Sequence, residues 1–228
     1  MSIPVEGNPL LHEAVDEAAS PSRRNLLALG LLAGGAVFAL PAQPAQAVGY
    51  TEVQALRFLE EIELLQTDFF NRISASTAFD GMDDRERNVL NLIAMHDREH
   101  SEWFRLARRK FGIQEFGRMY TPNASSTRPP RMFSFPLEAF KTRATLFPLA
   151  ASIKDTAVGA YHAMVGSVGD GEIIEALAAL AGIEGRHAAA LREISGVNSL
   201  PGAFESVVNE QEVARRFRPY GFRGEAIQ

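Results

Sequence analysis

Two short patterns in this sequence set an acidic residue three places ahead of a histidine: Asp97 with His100, and Glu184 with His187. Residues three apart share one face of a helix. Each pair therefore offers a carboxylate oxygen and an imidazole nitrogen to a common point. Both pairs lie on apolar stripes. Asp97 and His100 fall among Leu90, Ile93, Phe104 and Ala107, with His96 beside them, and Glu184 and His187 fall among Leu177, Leu180, Ala181, Ala188 and Leu191. A third acid, Glu63, sits on the stripe of Leu59, Ile62, Phe70 and Ile73, with Gln66 one turn further. A buried charge is costly without a partner, and a divalent cation is such a partner: carboxylates bridge cations and histidines cap them. One acidic-x-x-His arises by chance. Two on separate stripes, joined by a third acid, argue for a metal cage formed by Glu63, Asp97, His100, Glu184 and His187. The competing arrangement has these groups tilted to a solvated rim, with the histidines as core hydrogen-bonders. A fourth stripe, Ala150, Ala151, Ala157, Val158 and Tyr161, carries an ammonium instead of an acid, at Lys154. Tyr161 is placed either to reach the cage as a hydrogen-bond donor or redox tyrosine, or to pack in the core with its hydroxyl satisfied.

Four windows with helical apolar spacing position these residues. They run from about Thr51 to Ser74, Asp83 to Phe111, Pro136 to Val168, with Pro148 near a kink or second start, and Gly171 to Ile194. Gly112 and Gly196 stop the second and fourth. No alternating strand pattern occurs, so the fold class is all-α. Between the second and third windows lies a segment from Gly112 to Phe135 with Pro122, Pro129 and Pro130. A connection of that length has a reason in a compact domain, and one long crossover between the second and third helices of a four-helix bundle is a known topology. The tail from Phe204 to Tyr220 carries enough Phe and Val to pack on the bundle, and the last few residues read as loose.

The composition excludes several classes. The 228 residues contain no cysteine, which removes disulfides, thiolate metal sites and cysteine nucleophiles. Net charge is −5, and no basic surface argues for nucleic acid. No nucleophile elbow, phosphate loop or zinc-protease motif is present. Residues 1–47 read as a targeting segment: Ser22-Arg23-Arg24-Asn25-Leu26-Leu27, an apolar run from Leu26 to Leu40, and Ala45-Gln46-Ala47 as a cleavage site. The paired arginines resemble a twin-arginine signal. This implies a twin-arginine translocation partner, a periplasmic or extracellular destination, and no stable membrane anchor after cleavage. A general secretory signal and an uncleaved anchor are the alternatives. Residues 48–228 then form the bundle and its tail.

At these residues the chain resembles the ferritin-like domain family whose exported members include desiccation-related proteins. The matching segments are Ala55–Phe70, Ile93–Phe104, Ala151–Gly166 and Ala181–Gly196, with Phe204–Tyr220 similar to the family's ending. The resemblance implies a ferritin-like four-helix bundle with a long crossover between helices 2 and 3. In members with a full ligand set it also implies a di-iron or di-manganese site. By that resemblance Glu63 is the first-helix ligand, Asp97 and His100 the second-helix pair (Asp where the pattern prefers Glu), and Glu184 and His187 the fourth-helix pair. The third-helix carboxylate falls at Lys154, where the chain departs. Asp155 is next door but points about 100° away. Three outcomes follow. A single iron or manganese ion binds, with Lys154 behind its ligands. Or Lys154 fills the second cation's place in a metal-free cage. Or Lys154 snorkels to the rim and two ions bind weakly. The function is accordingly either iron or manganese redox chemistry, such as ferrous oxidation or peroxide disposal, or a stress-related structural or binding role. Ferritin-like bundles range from monomers to cages, so a homo-oligomer stays open.

Overall fold

The computed structural model describes residues 50–113, 133–200 and 202–224. The expected targeting segment, residues 1–47, most of the segment between the second and third windows, and the last four residues lie outside the described residues. Among the described residues there is no strand, and no helix is long and apolar enough to cross a membrane.

Helix α1 spans Tyr50–Ile73, and a one-turn helix α2, Thr77–Asp80, leads into α3, Asp84–Lys110. The start of α3 is written in its sequence. Asp83 accepts from the Glu86 amide at 2.8 Å, and the Asp83 amide donates back to the Glu86 carboxylate at 3.3 Å. That reciprocal pair satisfies two of the free amides of a helix start. Beyond Lys110, Gly112 takes a left-handed φ of 64°, as the stop expected there requires.

After the crossover, a 3₁₀ turn, Leu137–Phe140, precedes α4, Arg143–Val165, and then α5, Gly171–Ser195. The third window is thus not one continuous helix from Pro136. Thr142 is extended and caps the true start through the Thr145 amide. Pro148 lies inside α4 and marks no second start. It is close enough to the N-terminus that it removes only one of the early intrahelical bonds. Gly196, with φ 75°, closes α5. The tail adds a helix not anticipated from its pattern, α6, Glu210–Phe217, and a 3₁₀ turn, Arg218–Tyr220.

The long helices pair as α1 with α3 and α4 with α5. Both pairs are antiparallel: Glu60 meets Arg108 while Thr67 meets Asp97, and Arg143 meets Ile194 while Lys154 meets Glu184. Helices α3 and α4, by contrast, start at the same end, where Glu86 pairs with Arg143. The end of the 27-residue α3 and the start of α4 therefore stand at opposite ends of the bundle, about 40 Å apart. Leu56, Leu59, Ile62, Phe104, Ala150, Ala157, Leu177 and Leu191 fill the shared core, each fully or almost fully buried. Helix α1 is covered on nearly every side, so even Glu60 and Glu61 are buried. Glu60 pairs with Arg108, and Glu61 accepts the Arg223 and Gly224 amides of the tail at 2.8 and 3.0 Å. Of the tail residues expected to pack, Val208, Val213 and Phe217 do, whereas Phe204 is 93% exposed and Val207 points out with it. The bend that brings Val208 onto Gly159 leaves these two on the outer side.

Candidate metal centre

Each long helix sends one polar stripe into the core. Glu63, Asp97, Lys154 and Glu184, one from each of α1, α3, α4 and α5, have no exposed surface, and His100 and His187 have 8% and 6%. The solvated-rim arrangement is thereby overturned, as is the snorkelling lysine. Lys154 has no route to solvent because its stem is walled in by the core. Its ammonium donates to Asp97 Oδ1 at 2.6 Å and Glu184 Oε2 at 2.8 Å, and lies 5.1 Å from the Phe70 ring centroid.

The other flank of the cage is different. Glu63 Oε1 accepts from the Tyr161 hydroxyl at 2.7 Å and from Gln66 Nε2 at 3.2 Å. Tyr161 therefore reaches the cage as a hydrogen-bond donor, with its hydroxyl satisfied by Glu63. Glu63 Oε2, Asp97 Oδ2, Glu184 Oε1, His100 Nδ1 and His187 Nδ1 are buried and make no hydrogen bond. His100 Nδ1 is 3.1 Å from Glu184 Oε1 and 3.5 Å from Glu63 Oε2, close enough for charge interaction but without the alignment of a directed bond. Ligand atoms of Glu63, Asp97, His100 and Glu184 all lie within 4.8 Å of one another. His187 stands at the edge of that cluster, its Nδ1 3.4 Å from Glu184 Oε1 and 4.0 Å from Asp97 Oδ1. Buried polar atoms are almost always paired. Several unpaired atoms facing one another, all oxygen or imidazole nitrogen, form a donor set compatible with a metal ion.

The electrostatics divide the cage in the same way. Burial alone would discharge Lys154, but the Asp97 and Glu184 carboxylates, with Glu63 behind them, outweigh it and hold the ammonium above its ordinary value. Burial, with Glu184 and Glu63 nearby, pushes Asp97 up to about 8 against the pull of Lys154. These two shifts compete for one proton. The 2.6 Å contact favours the ion pair, because a neutral acid would leave the buried ammonium short of counter-charge. Burial also opposes charge on Glu184, yet Lys154 and the two imidazoles keep it well below the usual carboxylate range. His100 resists burial through Glu184 and Glu63, which push it up to about 10. His187, with burial dominant and Lys154 adding to it, falls to about 4 and is neutral at neutral pH.

His96 is the residue whose part the sequence left unstated. It is half-buried, and its Nδ1 lies 2.9 Å from His187 Nε2. The only signal was its position next to Asp97, which fixes no partner on another helix. Trp103 packs edge-on against Phe104, with ring centroids 4.9 Å apart, as expected of a packing residue.

Comparison with known proteins returns a match to the ferritin-like domain over residues 51–197, more than half of the chain. None of the curated proteins matches it.

Proposed function

This chain belongs to the ferritin-like domain family, and we propose on that basis that it holds a single iron or manganese ion against Glu63, Asp97, His100 and Glu184, with the Lys154 ammonium serving in place of a second cation. The observation that carries this reading is the unequal state of the two flanks. Lys154 satisfies one oxygen each of Asp97 and Glu184, while Glu63 Oε2, Glu184 Oε1 and His100 Nδ1 are left without hydrogen bonds. Three carboxylates against one ammonium leave two negative charges, which one divalent cation neutralises and two would overshoot. Excess charge of either sign is expensive at such burial.

A bound iron or manganese ion supplies redox chemistry at its open coordination positions. The chain's own residues prepare the place for it. Lys154 fixes the Asp97 and Glu184 carboxylates in orientation, the Tyr161 hydroxyl donates to Glu63 Oε1, and the Phe70 ring lies beside the ammonium. A redox or stress-protective role follows from such a site.

A second reading, a metal-free stress or structural protein, is favoured by one observation: His100, 3.1 Å from Glu184 Oε1 and pushed up to about 10, can itself supply a second positive charge. Metal analysis of protein purified without chelators separates the two. About one equivalent of iron or manganese per chain supports the first. No metal, and no uptake of added Mn²⁺, supports the second. Two equivalents reject both. Lys154→Glu restores a fourth carboxylate and is expected to raise the bound metal toward two.

The proposal extends to location: residues 1–47 deliver the bundle, already folded, through the twin-arginine machinery to the periplasm or beyond. Support comes from Arg23-Arg24 ahead of the run from Leu26 to Leu40. Replacing both arginines by lysine is expected to hold the chain in the cytoplasm in a fractionation experiment. Unchanged export would reject this route.

A further inference from the structure

His187 and His96 touch across two helices. Nε2 of the first and Nδ1 of the second are 2.9 Å apart, and the rings lie nearly parallel, 22° between planes and 5.2 Å between centroids. A neutral imidazole carries one N–H, and the two nitrogens are not equivalent. The question is which nitrogen of His187 bears the proton.

If it is Nδ1, the proton sits inside the cage. Its nearest acceptors are Glu184 Oε1 at 3.4 Å and Asp97 Oδ1 at 4.0 Å, and Nδ1 makes no hydrogen bond to either. A buried donor would be left unmet. If it is Nε2, the proton points at His96 Nδ1, 2.9 Å away, an ordinary hydrogen-bond length. His96 then keeps its own proton on Nε2, the far side of its ring. The second arrangement pairs the His187 N–H and turns the lone pair of His187 Nδ1 into the cage.

We propose that His96 is a positioning residue: it holds His187 as the Nε2–H form, so that Nδ1 faces the cage as a fifth donor beside Glu63, Asp97, His100 and Glu184. This rests on the single-cation reading, since only a cation gives that lone pair a use. A partner that fixes a ligand's tautomer by bonding its other nitrogen is a recurring requirement of histidine metal ligands. Here the partner is an imidazole carried on α3, the helix that also supplies Asp97 and His100. Two imidazoles in the donor set favour transition ions over Mg²⁺ and Ca²⁺.

The test uses the bundle labelled with ¹⁵N-histidine, metal-free at neutral pH, with the His187 signals identified by their loss in His187→Gln. The expected spectrum shows Nε2 protonated and Nδ1 bare. In His96→Leu the nearest remaining acceptors, Glu184 and Asp97, both lie on the Nδ1 side, and the proton is expected to move to Nδ1. His96→Asn restores an acceptor near the Nδ1 position and is expected to restore the Nε2–H form. Mn²⁺ affinity is expected to follow the tautomer, falling about tenfold or more in His96→Leu and recovering in His96→Asn. Protonated Nδ1 in the wild type overturns the proposal, and so does an Nε2–H form that survives in His96→Leu. If His96→Leu does not fold, His96→Asn decides: loss of the Nε2–H form there overturns it. A wild type with the expected tautomer that binds no Mn²⁺ rejects the cation reading instead, so the two failures are distinguishable.

Discussion

A lysine with no exposed surface keeps its proton only against counter-charges that nearly touch it, and Lys154 has two of them, Asp97 and Glu184. This contact acts on the protonation of its neighbours and, under the proposed single-cation function, on the pH dependence of cation binding. His100 is pushed up to about 10, so at neutral pH its Nδ1 must lose a proton before it can bind a cation. Binding then releases one proton. Mn²⁺ affinity is expected to rise about tenfold per pH unit between roughly pH 6 and 9, measured by competition with a chelator whose own pH dependence is known. A flat profile would mean that His100 is not a ligand. Tyr161 offers a second test. Tyr161→Phe takes the 2.7 Å donor from Glu63 Oε1, leaving Gln66 alone on a buried carboxylate. The loss is expected to be about 1–3 kcal/mol in denaturant unfolding of the metal-free protein. Which residues could act here was legible from type and spacing: Glu63, Asp97, His100, Glu184 and His187 all line the core. The direction taken by Lys154 was not legible, because a four-carbon stem reaches either the cage or the rim, and only the packing around it closes the second route.

Helix starts and stops were readable where a side chain or a glycine acts locally. Asp83 with Glu86, and Gly112 and Gly196 at positive φ, stand where the sequence puts them. Asp83→Ala removes the side-chain acceptor of the capping box, leaving the backbone amide of residue 83 to Glu86, and is expected to cost about 1 kcal/mol. Docking of α6 depends instead on a contact between segments far apart in the chain. At Gly159 of α4, an added Cβ would overlap the Val208 side chain and stand 3.0 Å from the Ser206 carbonyl oxygen. The Val208 amide also donates to the Gly159 carbonyl at 3.0 Å. Gly159→Ala, a change that ordinarily favours a helix, is expected here to lift the tail from α4 and lower stability. Faster amide exchange at Val208 and in α6, with α4 unchanged, is the measurement. Nothing around Gly159 in the sequence marks this role, since its partner lies almost fifty residues away. The pattern of Phe and Val in the tail was likewise insufficient to tell Val208, which is buried, from Phe204, which is not.

For the bundle as a whole, binding of the proposed single cation and folding form one equilibrium, because no single helix carries the full donor set. A ligand that binds only the folded chain raises its stability by about 2.7 kcal/mol at a hundredfold excess over Kd. The thermal midpoint is therefore expected to climb with added Mn²⁺ and to fall back on chelation. Lys154→Glu is expected to steepen that dependence, as two cations replace one. A midpoint indifferent to Mn²⁺ would favour the metal-free reading. The all-α class, the four long helices and the inward stripes of acid and histidine follow from the chain by itself, because helical periodicity, capping and residue type are local properties that survive without a partner. Tertiary structure alone decided that Lys154 bridges Asp97 and Glu184, that His96 meets His187, and that Glu61 clasps the tail. Each of these joins groups on different elements, and the energy of a buried charge or an imidazole proton is fixed by what stands within a few ångströms of it, which sequence separation does not reveal.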